Sequence, residues 1–406
     1  MTTSNRPRLR FFENSSGQRH ITDADHYLYK HDKPRYRVSV IGTGTIGQEH
    51  MRVVQLLGRA RVHGIYDISK HSMVIASEEF AKLTADDLIH YDDLQSACND
   101  DAVDAIMICT PNFTHIDVLE IAVKSGKPIF LEKPMATTLA DAKRIVALAR
   151  DYPAFIQVGL QYRYKAPYVE ARFEALERSA IGTLKTIAMS EYRPPFLDKV
   201  SQWNKFAEKS GGTLIEKCCH YFDLINLFAQ STPKRVFASA GQAVNFVDFE
   251  HAGQRSDIDD HAMVTIEYNN GLRASFTLNM FSPHFFEELV ICGDAGRLVA
   301  TETFNFLEDP VARSTLAIEL GEMGASRKTD VNYATHIEQS GHHGATFFEH
   351  VAFIDRLDGK ATDSATPEQG LWSIIVAAAA EQSARSGDAV NIANFIAHHD
   401  LQDSLS

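Results

Sequence analysis

One short stretch, residues 37–47 (RVSVIGTGTIG), limits what this chain can fold into more than any other. Val38, Val40 and Ile41 form an apolar, β-branched run of the kind buried in a parallel sheet. Gly42, Gly44 and Gly47 follow in G-x-G-x-x-G spacing, and Ile46, His50, Val53, Val54 and Leu57 then recur at helical intervals. Each glycine has a physical task. The first lets the chain turn tightly off the strand, the second lets backbone approach a pyrophosphate, and the third lets helix and strand pack closely. A pyrophosphate there faces the free N–H groups of Thr45, Ile46 and Gly47 and the positive end of a helix dipole. A second apolar stretch, 62–68, carries Asp67, twenty residues after Gly47. A carboxylate at that place can take both ribose hydroxyls of NAD and repel the extra phosphate of NADP. A strand, turn and helix with no ligand is the plain alternative.

With 406 residues the chain exceeds what one core usually serves, so two domains are expected. The formal net charge of −13 argues against nucleic acid and anionic membranes as partners. The five cysteines, Cys98, Cys109, Cys218, Cys219 and Cys292, are odd in number and contain no C-x-x-C pair. That speaks against a disulfide framework or structural zinc and for a reducing cytoplasm. No apolar run reaches the roughly 18 residues of a membrane helix, and residues 1–20 lack the apolar stretch of a secretory leader.

Residues 1–34 are polar and irregular and read as an N-terminal extension. Over 35–158, strands (37–42, 61–67, 88–91, 103–110, 128–131, 155–160) alternate with helices (45–57, 71–82, 114–125, 139–150). This predicts an α/β Rossmann domain with a doubly wound parallel sheet. Over 159–392 strands dominate: 184–192, 235–240, 262–268, 272–280, 288–292, 297–303 and 315–320. Ala262, Val264, Ile266 and Tyr268 alternate with Met263, Thr265 and Glu267, and after Asn269-Asn270-Gly271 the pattern resumes, which predicts a half-buried hairpin. The second domain is therefore read as α/β with a large, mostly antiparallel open sheet. Its helices fall over 168–178, 213–228, 344–357 and 369–386. The last of these is placed to pack back on the Rossmann domain, and 393–406 read as a tail.

Ligands of open α/β sheets lie beyond the carboxyl ends of the strands. Thr110-Pro111-Asn112, with His115 just after, follows one such strand, and Glu132-Lys133-Pro134 follows another. A lysine there can donate to a hydroxyl or carbonyl oxygen and stabilise a developing alkoxide. A solvated lysine before a turn is the other reading. On the expected helix Glu216 and His220 share a face, where a carboxylate can orient an imidazole for proton removal from an alcohol. The same spacing is common in purely structural pairs. Lys217 reads as an ion-pair partner, and Cys218-Cys219 as packing residues. Trp203 either roofs a pocket or anchors its loop. His342-His343 lack a third ligand, so no metal site is expected. Asp257, Asp259 and Asp260 with His261 read as a solvated turn.

The glycine turn, Thr110-Pro111-Asn112 with His115, Glu132-Lys133-Pro134, and Gly211-Gly212 leading to His220 and Asp223 occur in one order over residues 36–392. That order resembles the family of glucose–fructose oxidoreductase and inositol 2-dehydrogenase (Gfo/Idh/MocA). The resemblance implies a Rossmann domain beside a C-terminal α/β domain whose open sheet forms homodimers or homotetramers. It implies hydride transfer between a nicotinamide and a carbon bearing a hydroxyl. Lys133 then matches a lysine touching nicotinamide ribose and substrate, and His220 the acid/base. Arg163 matches a basic position near cofactor and substrate, with Gln161 close to the nicotinamide. Trp203 joins Lys133, Arg163 and His220 as a substrate contact. Glu216 stands where the family usually has Asp, and Lys217-Cys218-Cys219 replace a commoner small-residue pattern.

The expectation is NAD-dependent oxidation of a secondary hydroxyl of a sugar, inositol or related small polyol, with Lys133 and His220 supplied by separate lobes. NADP is the alternative cofactor, in a reductase of a keto-sugar or imine, with Lys70 and His71 near Asp67. A catalytically silent sugar or dinucleotide sensor is the third reading.

Overall fold

Burial of the run after Tyr36 sets the centre of the first sheet: Val38, Val40 and Ile41 have no exposed surface. The computed structural model describes residues 34–196, 198–305 and 309–405, so the extension read over 1–34 lies, but for its last residue, outside them. The described residues form two compact units.

The first unit holds residues 34–132 with Asp151–Tyr164 and Tyr333–Ser364. Its six strands are β1 (Tyr36–Ile41), β2 (Ala60–Tyr66), β3 (Ile89–His90), β4 (Ala105–Ile108), β5 (Ile129–Glu132) and β6 (Ile156–Gly159). They lie in the order β3-β2-β1-β4-β5-β6, all parallel, with the order reversing between β1 and β4. That is the doubly wound order, whose crevice opens at the switch point. Ile41 pairs with Ile108 and Ile108 with Leu131, so Gly42, Cys109 and Glu132 follow at one edge. The helix Thr45–Leu57 covers the sheet with His50, Met51, Val53, Val54 and Leu57. The helix Ala345–Leu357 adds Phe347, Phe353 and Ile354 to the same core.

The second unit holds Lys133–Arg150, Lys165–Asn332 and the chain from Ala365. Its strands are β7 (Leu184–Tyr192), β8 (Pro233–Gly241), the small hairpin β9 (Glu250–His251) and β10 (Gln254–Arg255), and then β11 (His261–Tyr268) and β12 (Arg273–Asn279). They continue as β13 (Phe285–Gly293), β14 (Arg297–Asn305), β15 (Asp309–Glu319), β16 (Arg327–Asp330) and β17 (Val390–Asn391). The large sheet runs β16-β15-β14-β13-β7-β12-β11-β8-β17 and is antiparallel except between β7 and β12. The hairpin pairs Ala262 with Leu278 and Val264 with Phe276, all buried, while Met263 on the other face is exposed.

Four expectations change. The helix read over 213–228 is two, Thr213–Glu216 and Cys219–Ala229, because the bonding ladder restarts at Cys218, whose carbonyl takes the N–H of both Tyr221 and Phe222. Glu216 and His220 therefore do not share one continuous helix. Lys133 and His220 fall in the same unit, since the segment after Lys133 forms a helix, Leu139–Arg150, that packs on Pro367–Ser386. The tail read over 393–406 contains most of a third terminal helix, Ile392–His398, anchored by Phe395 and followed by buried Leu401. The turn at 257–261 is not solvated throughout: Asp260 is fully buried and accepts from the N–H groups of Ala243, Val244 and Asn245.

Candidate cofactor and catalytic sites

In the first unit the glycine turn performs the three tasks its spacing requires. Gly42 has φ +92, and a Cβ there would lie 2.6 Å from the backbone of Cys109 and Thr110. A Cβ on Gly47 would lie 2.0 Å from the Gly42 carbonyl oxygen. At Gly44 a Cβ meets nothing within 4 Å, so that side of the turn is open to a ligand. Thr45, Ile46 and Gly47 begin the helix, and their N–H groups have no acceptor within it. Asp67 stands just past β2. Its Oδ2 accepts from Thr43 N at 2.8 Å and Thr43 Oγ1 at 3.2 Å, and its Oδ1 from Ser69 N at 2.8 Å.

Beyond β4, Thr114 Oγ1 donates to the Pro111 carbonyl at 2.7 Å and lies 2.9 Å from the Thr110 hydroxyl, which folds the turn back on itself. His115 is fully buried with Nε2 2.9 Å from the Thr110 carbonyl, so its part here is to hold that turn. Asn112 Nδ2 is buried with no hydrogen-bond partner among the described residues. The same is true of Gln161 Oε1, in the short turn Gln161–Tyr164 after β6. Arg163, also buried, donates to the Asp363 carbonyl at 3.1 Å. Two buried polar atoms without hydrogen-bond partners at the carboxyl ends of the strands fit a polar ligand there. The open side of Gly44, the Asp67 carboxylate and these two groups suit a dinucleotide.

Glu132 ends β5. Its Oε1 meets His50 Nε2 at 2.9 Å, and a Cβ on Gly159 would intrude to 2.8 Å from that oxygen. Next to His50, burial works to raise the Glu49 carboxyl, but the His342 charge and hydrogen bonds from His342 and Thr346 bring it down to about 2. His342 is thus an acid's partner. Among the described residues no group of three or more His, Cys, Asp or Glu is placed to hold a metal.

In the second unit Lys133 Nζ lies 3.5 Å from the Glu216 carbonyl oxygen, which also receives the Cys219 thiol at 3.8 Å. What the structure shows of Glu216 at Lys133 is its backbone, a role no side-chain pattern announces. Burial pushes the Cys219 thiol up to about 12, with the nearby Lys133 charge opposing. His220 is buried at the start of the helix Cys219–Ala229. Tyr221 holds that helix down through its hydroxyl, which donates to Glu287 Oε1 at 2.6 Å. Glu287 Oε2 and Glu302 Oε1 each lie 2.7 Å from Lys165 Nζ, and Tyr168 adds a bond to Glu287. Lys217 pairs with Glu191 at 3.2 Å. Trp203 sits half-buried in the turn Val200–Lys205. The Lys165–Glu287–Glu302 cluster escaped sequence reasoning because Lys165 lies over a hundred residues before both carboxylates, which are cross-strand partners of β13 and β14, and no local pattern links it to them.

Two family models match the chain. A family model described as "Oxidoreductase family, NAD-binding Rossmann fold" matches residues 36–160, and one described as "Oxidoreductase family, C-terminal alpha/beta domain" matches 174–392. The chain is 29% identical to the uncharacterized oxidoreductase YrbE of Bacillus subtilis, over 58% of this chain and 64% of that protein. It is 24% identical to a myo-inositol 2-dehydrogenase of Thermotoga maritima, over 71% of this chain and 80% of that one. Among solved structures, levoglucosan dehydrogenase in complex with NADH shares the fold with a TM-score of 0.72 at 18% identity, covering 88% of this chain and 99% of that one.

Proposed function

Because the chain belongs to the Gfo/Idh/MocA oxidoreductase family, we propose that it oxidises a secondary hydroxyl of a sugar, inositol or related polyol to a ketone, with NAD as its cofactor. The observation that carries the reading is the edge formed after β1, β2 and β4. There a glycine open to a ligand, a carboxylate locked by Thr43 and Ser69, and the orphaned amide of Asn112 belong to one unit. When bound, the nicotinamide accepts the hydride.

The chain's own residues do the rest. The first turn of the helix Thr45–Leu57 holds the pyrophosphate, and Asp67 holds the adenosine ribose hydroxyls. The Lys133 ammonium, held by the Glu216 carbonyl, donates to the alcohol oxygen and stabilises negative charge developing on it. His220 takes the hydroxyl proton through its imidazole. Arg163, Gln161 and Trp203 complete the contacts to cofactor and substrate. Copies of the chain associate through the free face of the large sheet, where Met263 is 66% exposed and Phe237 44% exposed. No helix among the described residues is long and apolar enough to cross a membrane.

The test is direct. NADH and NADPH are titrated by their fluorescence, and then NAD with a panel of inositols and sugars is followed for reduced nicotinamide. Tight NADH binding and reduction with at least one polyol support the reading. Tighter NADPH binding, or polyol binding with no reduction across the panel, contradicts it. Light scattering tests the association, with a monomer contradicting it.

A further inference from the structure

Behind the glycine turn, the first unit contains a chain of buried hydrogen bonds that no motif announces. His50 and His350 are each 1% exposed and Glu132 4%. His50 Nε2 lies 2.9 Å from Glu132 Oε1, and His50 Nδ1 lies 2.6 Å from His350 Nε2. The two imidazoles stack with centroids 4.9 Å apart, and His50 stands edge-on to Phe130 of β5. The rings are thus held by packing as well as by bonds.

Proton accounting gives the chain a direction. A carboxylate only accepts, so His50 donates to Glu132 through Nε2. Burial holds His350 well below the ordinary imidazole range, so His350 carries a single ring proton. His350 Nδ1 has no partner among the described residues. A proton there would be a buried donor with no acceptor, which is the costlier arrangement. On Nε2 the proton reaches His50 Nδ1. The groups facing this chain are Glu49, Glu349 and Cys109, whose thiol is raised by burial and then by the charges of Glu132, Glu349 and Glu49.

We propose that His50 and His350 are positioning residues for the dinucleotide edge: His350 Nε2–H donates to His50 Nδ1, His50 Nε2–H donates to Glu132, and Glu132 is thereby fixed at the carboxyl end of β5. The inference rests on the reading that a dinucleotide binds at this edge. Glu132 follows Leu131, which is in register with Ile108 and through it with Ile41 before Gly42. Glu132 also immediately precedes Lys133 in the chain.

The test uses the full chain with His350→Gln, whose amide keeps a donor at the Nε2 position, and His350→Leu, which has none. Nitrogen NMR of the ligand-free protein reads the tautomer of His50, and NADH fluorescence reads affinity. The expected result is His50 protonated on Nε2 alone in the wild type and in His350→Gln, with NADH affinity alike in both. His350→Leu loses that tautomer and binds NADH about tenfold more weakly. A wild-type His50 protonated on Nδ1 would overturn the proposal. So would His350→Leu, melting like His350→Gln, that binds NADH equally well. If the wild type does not bind NADH, the cofactor reading fails, while the tautomer result still decides the chain's direction.

Discussion

Asp67 Oδ2 accepts the Thr43 N–H at 2.8 Å, which ties the end of β2 to the glycine turn. The carboxylate is thereby aimed before any ribose arrives. Asp67→Asn keeps an oxygen for Thr43 and removes the charge that repels a 2′-phosphate. The variant should lose about tenfold in NADH affinity and gain in its preference for NADPH relative to the wild type. Fluorescence titration with both cofactors measures this, and an unchanged ratio removes Asp67 from cofactor choice.

Two glycines of one turn should respond differently to the same change. Gly44→Ala puts a methyl into open space, so the melting temperature should hold while NADH affinity falls at least about tenfold through collision with the pyrophosphate. Gly42→Ala forces a side chain to φ +92 against the Cys109 carbonyl and should lose both stability and binding. Equal melting losses in the two would show that Gly44 serves the fold instead.

These residues were legible because their meaning is local. The glycine spacing, the apolar run before it and Asp67 lie within one strand-helix-strand unit, and the hairpin at Asn269-Asn270-Gly271 announces itself by alternation. The helix break at Lys217 and Cys218 was not legible, since apolar residues at 214, 215, 218, 219 and 222 keep helical spacing straight through it. Nor was burial of Asp260, whose partners are backbone N–H groups of 243–245 that carry no side-chain signal. His350 meets His50 across 300 residues, a distance at which only the folded topology speaks.

Glu381 offers a pH test of the second unit. It packs against Gly212 at the start of the helix Thr213–Glu216, where a Cβ would come within 2.1 Å of its Oε1. Burial pushes its carboxyl up to about 8, Arg385 opposing and Asp259 and Asp257 reinforcing. A raised carboxyl value means the fold keeps a proton that the unfolded chain has released. Its contribution is full below the unfolded value of 4.5 and is lost as pH climbs to about 8, by at most about 1.4 kcal/mol per pH unit. Glu381→Gln should therefore flatten the fall in stability across that window and melt a few degrees higher than the wild type near pH 9. Melting curves with parallel pH slopes would contradict the assignment.

In the proposed reaction Lys133, 3.5 Å from the Glu216 carbonyl oxygen, stabilises the reacting alcohol oxygen while the glycine turn holds the cofactor. The most direct measurement compares turnover and NADH affinity in wild type and Lys133→Ala, using NAD and the polyol that reacts best. The expected result is a loss of about a hundredfold to a thousandfold in kcat with NADH affinity nearly unchanged. A variant that reduces NAD at the wild-type rate would contradict it.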